Sequence, residues 1–446
     1  MTVSRDPLLQ RALALCPLLQ RGLRPPAWCS NAHLQFIPWL FQNEVHRLLL
    51  PVKYERHTVA VTDRPSKTAV PRGLRGRGTG LEDRITVDIF PALGDAVLLP
   101  PSAPVIVFAP GLRCHSQDLP GTTPVRRALA GGFRSVVVNR RGHTPGQPLA
   151  APRWNLFGDV DDLEQVYWEL RDLLSSVRRT DEGGGACGGD GGGCDGAPPL
   201  FLCGLSSGCG LVVNALGVWD KRRSAGDASA PAFAGALSLA PGYDITTCLA
   251  RFDWPYEPLL LANVKAHFVA KNETVLRRAS GGAVDACLGA SSLQAFLEAA
   301  TPFTGYGDAE AYYAHCNPVN EVHAICTPML IVNARDDPCC KVGNALEASR
   351  VPAHGGRTYR ELVAASPRSV LCLSASGSHC PFLDGGILGF RSLAADPLAL
   401  RDGGGGVMLN SWADAVAVEW FTACRKVFKE GALEASTASA EATCKS

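Results

Sequence analysis

Pro199-Leu200-Phe201-Leu202-Cys203-Gly204-Leu205-Ser206-Ser207-Gly208 runs without a break into the helical pattern Leu211-Val212-Val213-Asn214-Ala215-Leu216. The first five residues are apolar at successive rather than alternate positions, which is how a strand buried on both faces reads. Gly204 to Gly208 match G-x-S-x-G in the setting that gives the pentapeptide chemical meaning, a strand before it and a helix after it. A sharp turn between the two forces the central residue into strained backbone angles and lifts its side chain above the sheet, and the flanking glycines leave room for that turn. Ser206 holds the central position and is the candidate nucleophile. Ser207, next to it, competes for the role.

The same alternation continues on both sides. Pro104–Ala109 and Ser135–Asn139 read as strands, with a helix at Pro124–Ala130 between them, and Asp159–Leu174 is a helix with acids in its first turn. Gly235–Leu239, Pro328–Asn333 and Ser369–Leu373 are further strands. This order predicts an α/β fold, a mostly parallel central sheet with helices on both faces. Residues 1–103 form an N-terminal extension with antiparallel edge strands at Val59–Thr62 and Arg84–Ile89, and 104–242 form the first half of the core. Within it the tract Gly183–Gly196 (a loop over 181–198) has the composition of a chain that cannot pack. Residues 243–319 read as a helical cap over the sheet, 320–426 as the second half of the core, and 427–446 as a disordered tail. Trp254, Tyr256 and Phe303 in the cap are candidates for lining a substrate site, although packing of the cap on the core accounts for the same aromatics.

A serine hydroxyl is a poor nucleophile at neutral pH and needs a histidine to take its proton and an acid to orient that histidine. Asp336-Asp337-Pro338 follows the Pro328–Asn333 strand, and Gly377-Ser378-His379 follows the last strand, so the order Ser, Asp, His is complete. Asp337, directly before the proline, is the preferred acid, with Asp336 as the alternative, and His379 is the candidate base. Two backbone N–H groups must hold the oxyanion, one from Ser207 and one from Leu112, just past Pro110-Gly111.

The chain carries 43 Lys+Arg against 42 Asp+Glu, so binding of nucleic acid through bulk charge is not expected. Its 17 cysteines are odd in number, lack a C-x-x-C pair and sit in apolar runs, the pattern of free thiols in a reducing, cytoplasmic compartment. Cys339-Cys340 has no second ligand pair in sequence, so no metal or other cofactor is expected. No apolar run is long enough to span a membrane, and Arg11, Pro17 and Arg21 interrupt any signal peptide. Leu8, Leu9, Leu13, Leu15, Leu18 and Leu19 fit either an interfacial helix, hence peripheral membrane contact, or a helix packed on the domain. Oligomeric state is not legible.

Asn139-Arg140-Arg141-Gly142-His143, Phe157-Gly158-Asp159, the Gly204–Gly208 elbow, Ala334-Arg335-Asp336-Asp337-Pro338 and Gly377-Ser378-His379-Cys380-Pro381 occur in the order and spacing of the YheT-like α/β hydrolases, and over roughly residues 28–425 the chain resembles that family. Ser30-Asn31-Ala32-His33-Leu34-Gln35 and Trp254-Pro255-Tyr256-Glu257 add to the match. The resemblance implies the α/β-hydrolase fold and a serine esterase or lipase with Ser206, Asp337 and His379 as triad, acting on short- to medium-chain acyl esters or glycerolipids. Departures fall at Pro110, Cys209 and Cys380-Pro381, around the triad. Beside hydrolysis stand two alternatives: an ester-forming acyltransferase, and a catalytically silent lipid-binding or scaffold protein.

Overall fold

The computed structural model describes residues 2–3, 6–29, 31–62, 82–118, 123–144, 146–181, 197–306, 308–347, 351, 354–385, 389–392 and 407–444. The glycine tract lies outside the described residues. The strands of the central sheet, in chain order, are β1 (Thr2–Val3), β2 (Glu55–Thr62), β3 (Glu82–Phe90), β4 (Val105–Ala109), β5 (Arg134–Asn139), β6 (Leu200–Leu205), β7 (Gly235–Leu239), β8 (Met329–Ala334) and β9 (Ser369–Ser374). They form one nine-stranded sheet in the order β1-β9-β8-β7-β6-β4-β5-β3-β2. From β9 to β5 the pairing is parallel, and β1, β3 and β2 add antiparallel strands at the two ends. The apolar runs chosen on sequence are these central strands, and β4 through β8 are buried along their whole length.

Helices, again in chain order, are α1 (Pro7–Ala14), α2 (Pro17–Arg21), α3 (Ala32–Leu49), α4 (Thr123–Ala130), α5 (Asp161–Asp181), α6 (Ser207–Ser224), the cap helices α7 (Ile245–Leu249), α8 (Tyr256–Val264), α9 (Glu273–Gly289), α10 (Leu293–Ala300) and α11 (Ala309–Cys316), then α12 (Gly343–Leu346), α13 (Tyr359–Ala365) and α14 (Trp412–Cys444). The period-two geometry of β4 divides the core. Val105, Val107 and Ala109 pack with α5, α6 and α13 on one face, while Ile106 and Phe108 pack with α1, α4 and α14 on the other. The cap between β7 and β8 has its own cluster around Trp154, Phe268, Phe296 and Phe303.

The N-terminal extension differs from its sequence reading. One expected helix is two, broken where Pro17 starts α2, and Leu9, Leu13 and Leu19 are buried in the second core cluster. Glu419 of α14 accepts the backbone N–H groups of Leu18 and Leu19 at 3.0 and 3.1 Å. Leu15 is exposed at the end of α1, and most exposed apolar side chains of the extension belong to α3: Leu34, Ile37, Leu40, Phe41 and Leu48. Among the described residues no helix is long and apolar enough to cross a membrane. Helix α14 spans the stretch from 427 that composition reads as a tail, and Val427 is buried. The described cysteines are free thiols.

Candidate active site

Ser206 ends β6 and caps α6 with φ 53° and ψ −121°, backbone angles that an L-residue adopts only when its surroundings impose them. The neighbouring glycines show why. A Cβ on Gly208 would lie 2.0 Å from the carbonyl oxygen of Ala109, and one on Gly204 would lie 2.8 Å from the Cα of Cys209. Backbone approaches backbone on both sides of the serine, and only hydrogen fits.

The long-range contacts then assemble around that hydroxyl. Ser206 Oγ is 2.8 Å from His379 Nε2, and His379 Nδ1 is 3.0 and 3.2 Å from the two oxygens of Asp337. Asp337 is fixed in turn, because its Oδ1 accepts the backbone N–H groups of Cys339 and Cys340, each at 2.8 Å. Burial by itself disfavours a charged His379, but the Asp337 carboxylate overrides it and holds the imidazole well above its ordinary range. Asp336 does something different. Its Oδ1 accepts the Ser378 N–H at 2.9 Å, tying the acid loop to the histidine loop. Ser378, Cys380 and Phe382 all have positive φ (58°, 81° and 43°), a tight coil that turns the imidazole back over the sheet.

The loop after β4 rests on a residue that spacing alone does not flag. Arg140, at the end of β5 and 2 % exposed, spends Nη2 on the carbonyls of Pro110 (3.0 Å) and Gly111 (2.8 Å) and on Ser207 Oγ (3.1 Å), and Nη1 on the Leu156 carbonyl (2.7 Å). It has no carboxylate partner among the described residues, and burial pulls its pKa down to about 10. Asn139 beside it receives the Ser116 N–H at 2.8 Å and donates to Asp88 at 2.9 Å. Both ends of loop 110–116 are therefore tethered to the end of one strand. Arg140 thus braces both the loop that carries Leu112 and the elbow that carries Ser207.

The departures from the family pattern sit in this frame without displacing it. Cys209 is fully buried and donates its thiol to the carbonyls of Gly204 and Leu239 at 3.1 Å each. Cys380 packs with Trp39, Ala240 and Leu383, and Pro110 contributes a carbonyl rather than an N–H.

The three aromatic candidates separate. Phe303 is fully buried inside the cap, its ring 5.2 Å from that of Trp154, so it supports the cap and lines no open site. Trp254 is 83 % exposed on the outer surface. Tyr256 reaches the triad through an unforeseen neighbour: its ring meets Phe36 of α3 edge-on at 5.3 Å, and Phe36 lies 6.3 Å from the His379 ring. Tyr256 also bonds His33 Nδ1 through its hydroxyl at 2.6 Å. Residues 31–35 of that motif thus pack beside His379. Asn31 caps α3 through the Leu34 N–H, and Gln35 accepts the Leu383 N–H, which holds this helix against the histidine loop. Sequence reasoning missed α3 because Pro38 falls inside it and its exposed apolar residues blur its period.

A model of the alpha/beta hydrolase family matches residues 106–388. Phospholipase ABHD3 of Mus musculus is 22% identical over 386 residues, 83% of this chain and 75% of its own. Protein ABHD15 of Homo sapiens is 28% identical over 264 residues, 57% of this chain and 46% of its own. Monoacylglycerol lipase ABHD2 of Danio rerio is 24% identical over 425 residues, 92% of this chain and 80% of its own. Among solved structures, an esterase of Pyrobaculum calidifontis is 14% identical, with coverage of 84% and 90% of the two chains and a TM-score of 0.39. The family match spans more than half of the chain and takes in the elbow, the acid loop and the histidine loop, so the protein belongs to the alpha/beta hydrolase family.

Proposed function

We propose that this chain is a carboxylic ester hydrolase that works through an acyl-enzyme on Ser206. The observation that carries the proposal is the continuous relay from Ser206 Oγ through His379 to Asp337, at 2.8 and 3.0 Å, on a strained elbow. His379 takes the serine proton as Ser206 attacks the acyl carbon, and Asp337 holds the ring and balances its charge. The N–H groups of Leu112 and Ser207 stabilise the tetrahedral oxyanion. His379 then returns the proton to the departing alcohol, and water repeats the cycle on the acyl-enzyme. Two relatives are named a phospholipase and a monoacylglycerol lipase. That, with Phe36 and Tyr256 beside the relay, supports lipid acyl esters as the substrate class.

Fluorophosphonate labelling tests the proposal, because the probe bonds only to a serine activated by a base and an oxyanion hole. Intact mass shows one adduct on the wild-type chain and none on Ser206→Ala, and the variant loses turnover of a p-nitrophenyl ester. An unlabelled, folded wild type refutes it.

A further inference from the structure

Cys339-Cys340 lacks companion ligands in the sequence, but folding supplies them. Cys339 Sγ, a carboxylate oxygen of Asp337 and a ring nitrogen of His379 lie within 4.8 Å of one another. The Asp337 and Cys339 side chains are buried, and the acid loop fixes both, since the Cys339 N–H donates to Asp337 Oδ1 at 2.8 Å. Thiolate, imidazole and carboxylate together are the donor set that Zn²⁺ takes, with bonds of about 2.0 to 2.3 Å. Ligand atoms on such an ion stand roughly 3.5 Å apart, so small side-chain rotations close the cluster. Cys340 is outside it, its sulfur 4.0 Å from that of Cys248.

We propose that Asp337, Cys339 and His379 form an inhibitory zinc site laid over the proton relay. Its effect on turnover rests on the hydrolase function proposed above; the binding of metal does not. Nδ1 of His379 is the nitrogen facing Asp337, at 3.0 and 3.2 Å. Zn²⁺ taking the Nδ1 lone pair leaves the neutral ring with its proton on Nε2, the atom 2.8 Å from Ser206 Oγ. That nitrogen can no longer accept the serine proton. The imidazolium gives up its Nδ1 proton and the Cys339 thiol its own, both to the buffer, as the N–Zn and S–Zn bonds form. A water completes the coordination.

The test uses the full chain with Zn²⁺, Mg²⁺ and Co²⁺, in wild type, Cys339→Ala and Cys340→Ala, each rate taken relative to that variant's own metal-free rate. Zn²⁺ suppresses ester turnover in the wild type, a chelator restores it, and Mg²⁺ has no effect. Cys339→Ala raises the half-inhibiting Zn²⁺ concentration by about tenfold or more, and Cys340→Ala leaves it in place. Co²⁺ gives a thiolate-to-metal charge-transfer band in the wild type and in Cys340→Ala that is lost in Cys339→Ala. Equal zinc sensitivity of wild type and Cys339→Ala, or no band in the wild type, overturns the site. The band does not require turnover, so a chain that shows it without hydrolysing esters keeps the metal site and loses only the hydrolase reading.

Discussion

At the scale of single residues the two adjacent acids divide their labour by where their oxygens point. Asp337 faces His379, while Asp336 bonds the Ser378 backbone N–H. Asp337→Asn removes the negative charge that holds His379 protonated to high pH. Turnover needs the neutral imidazole, so wild-type activity falls as pH drops through a raised His379 pKa, and the acidic limb stands above the usual histidine range. Asp337→Asn therefore moves that limb to lower pH while cutting kcat by about 10⁴-fold, the size of effect known for the acid of a serine triad. Asp336→Asn keeps an oxygen for Ser378 and stays within a few-fold of wild type. A pH–rate profile of both variants separates the two roles. That Ser206, His379 and the Asp336-Asp337 pair each follow a strand end was legible in the sequence, because local apolar runs mark where a strand stops. Which of the two acids faces the imidazole was a preference only, since neighbouring residues differ by one bond rotation.

Elements meet at the loop after β4, and here the sequence was less readable. Arg140 follows β5, yet its bonds go to Pro110, Gly111, Leu156 and Ser207, contacts made across the C-terminal ends of neighbouring strands. A buried guanidinium that donates to four polar acceptors leaves them unpaired if removed. Arg140→Gln lowers kcat by about 10²- to 10³-fold, as loss of an oxyanion donor does, with KM changed little. Arg140→Lys retains the charge but not the fork and recovers only part of the rate. Circular dichroism and the fluorophosphonate adduct rate, read together, distinguish a misplaced oxyanion loop from an unfolded chain. Helix α3 makes the same point for apolar contacts. Phe36 reaches the His379 ring from a part of the chain more than three hundred residues away, and no periodicity within α3 announces that destination. Phe303 fails in the opposite sense, since an aromatic in a cap has the same composition whether it faces a substrate or the cap's own core.

For the whole molecule, the parallel sheet sets the direction in which everything functional faces. Ser206 lies at the C-terminal end of β6, and the glycine tract joins at the N-terminal side, before Leu200. A six-residue strand, roughly 20 Å long, separates Ser206 from the point where that tract rejoins the described residues. Deleting residues 183–196 leaves p-nitrophenyl ester turnover within a few-fold, because changing a loop's length costs little closure entropy; complete loss of activity in the folded deletion variant contradicts this. The sequence by itself determined the alternation of strands and helices, the helical stretch between β7 and β8, and the strand-end placement of Ser206, Asp337 and His379, because those depend on apolar period, glycine geometry and order along the chain. Only the tertiary structure decided that Arg140 braces the loop after β4, that α3 packs beside His379, that Phe303 is interior, and that His379 comes to stand beside Cys339. Each of those is a contact between segments distant in sequence, fixed by how the two faces of one sheet and its cap pack, and packing is a property of the assembled core that no local pattern encodes.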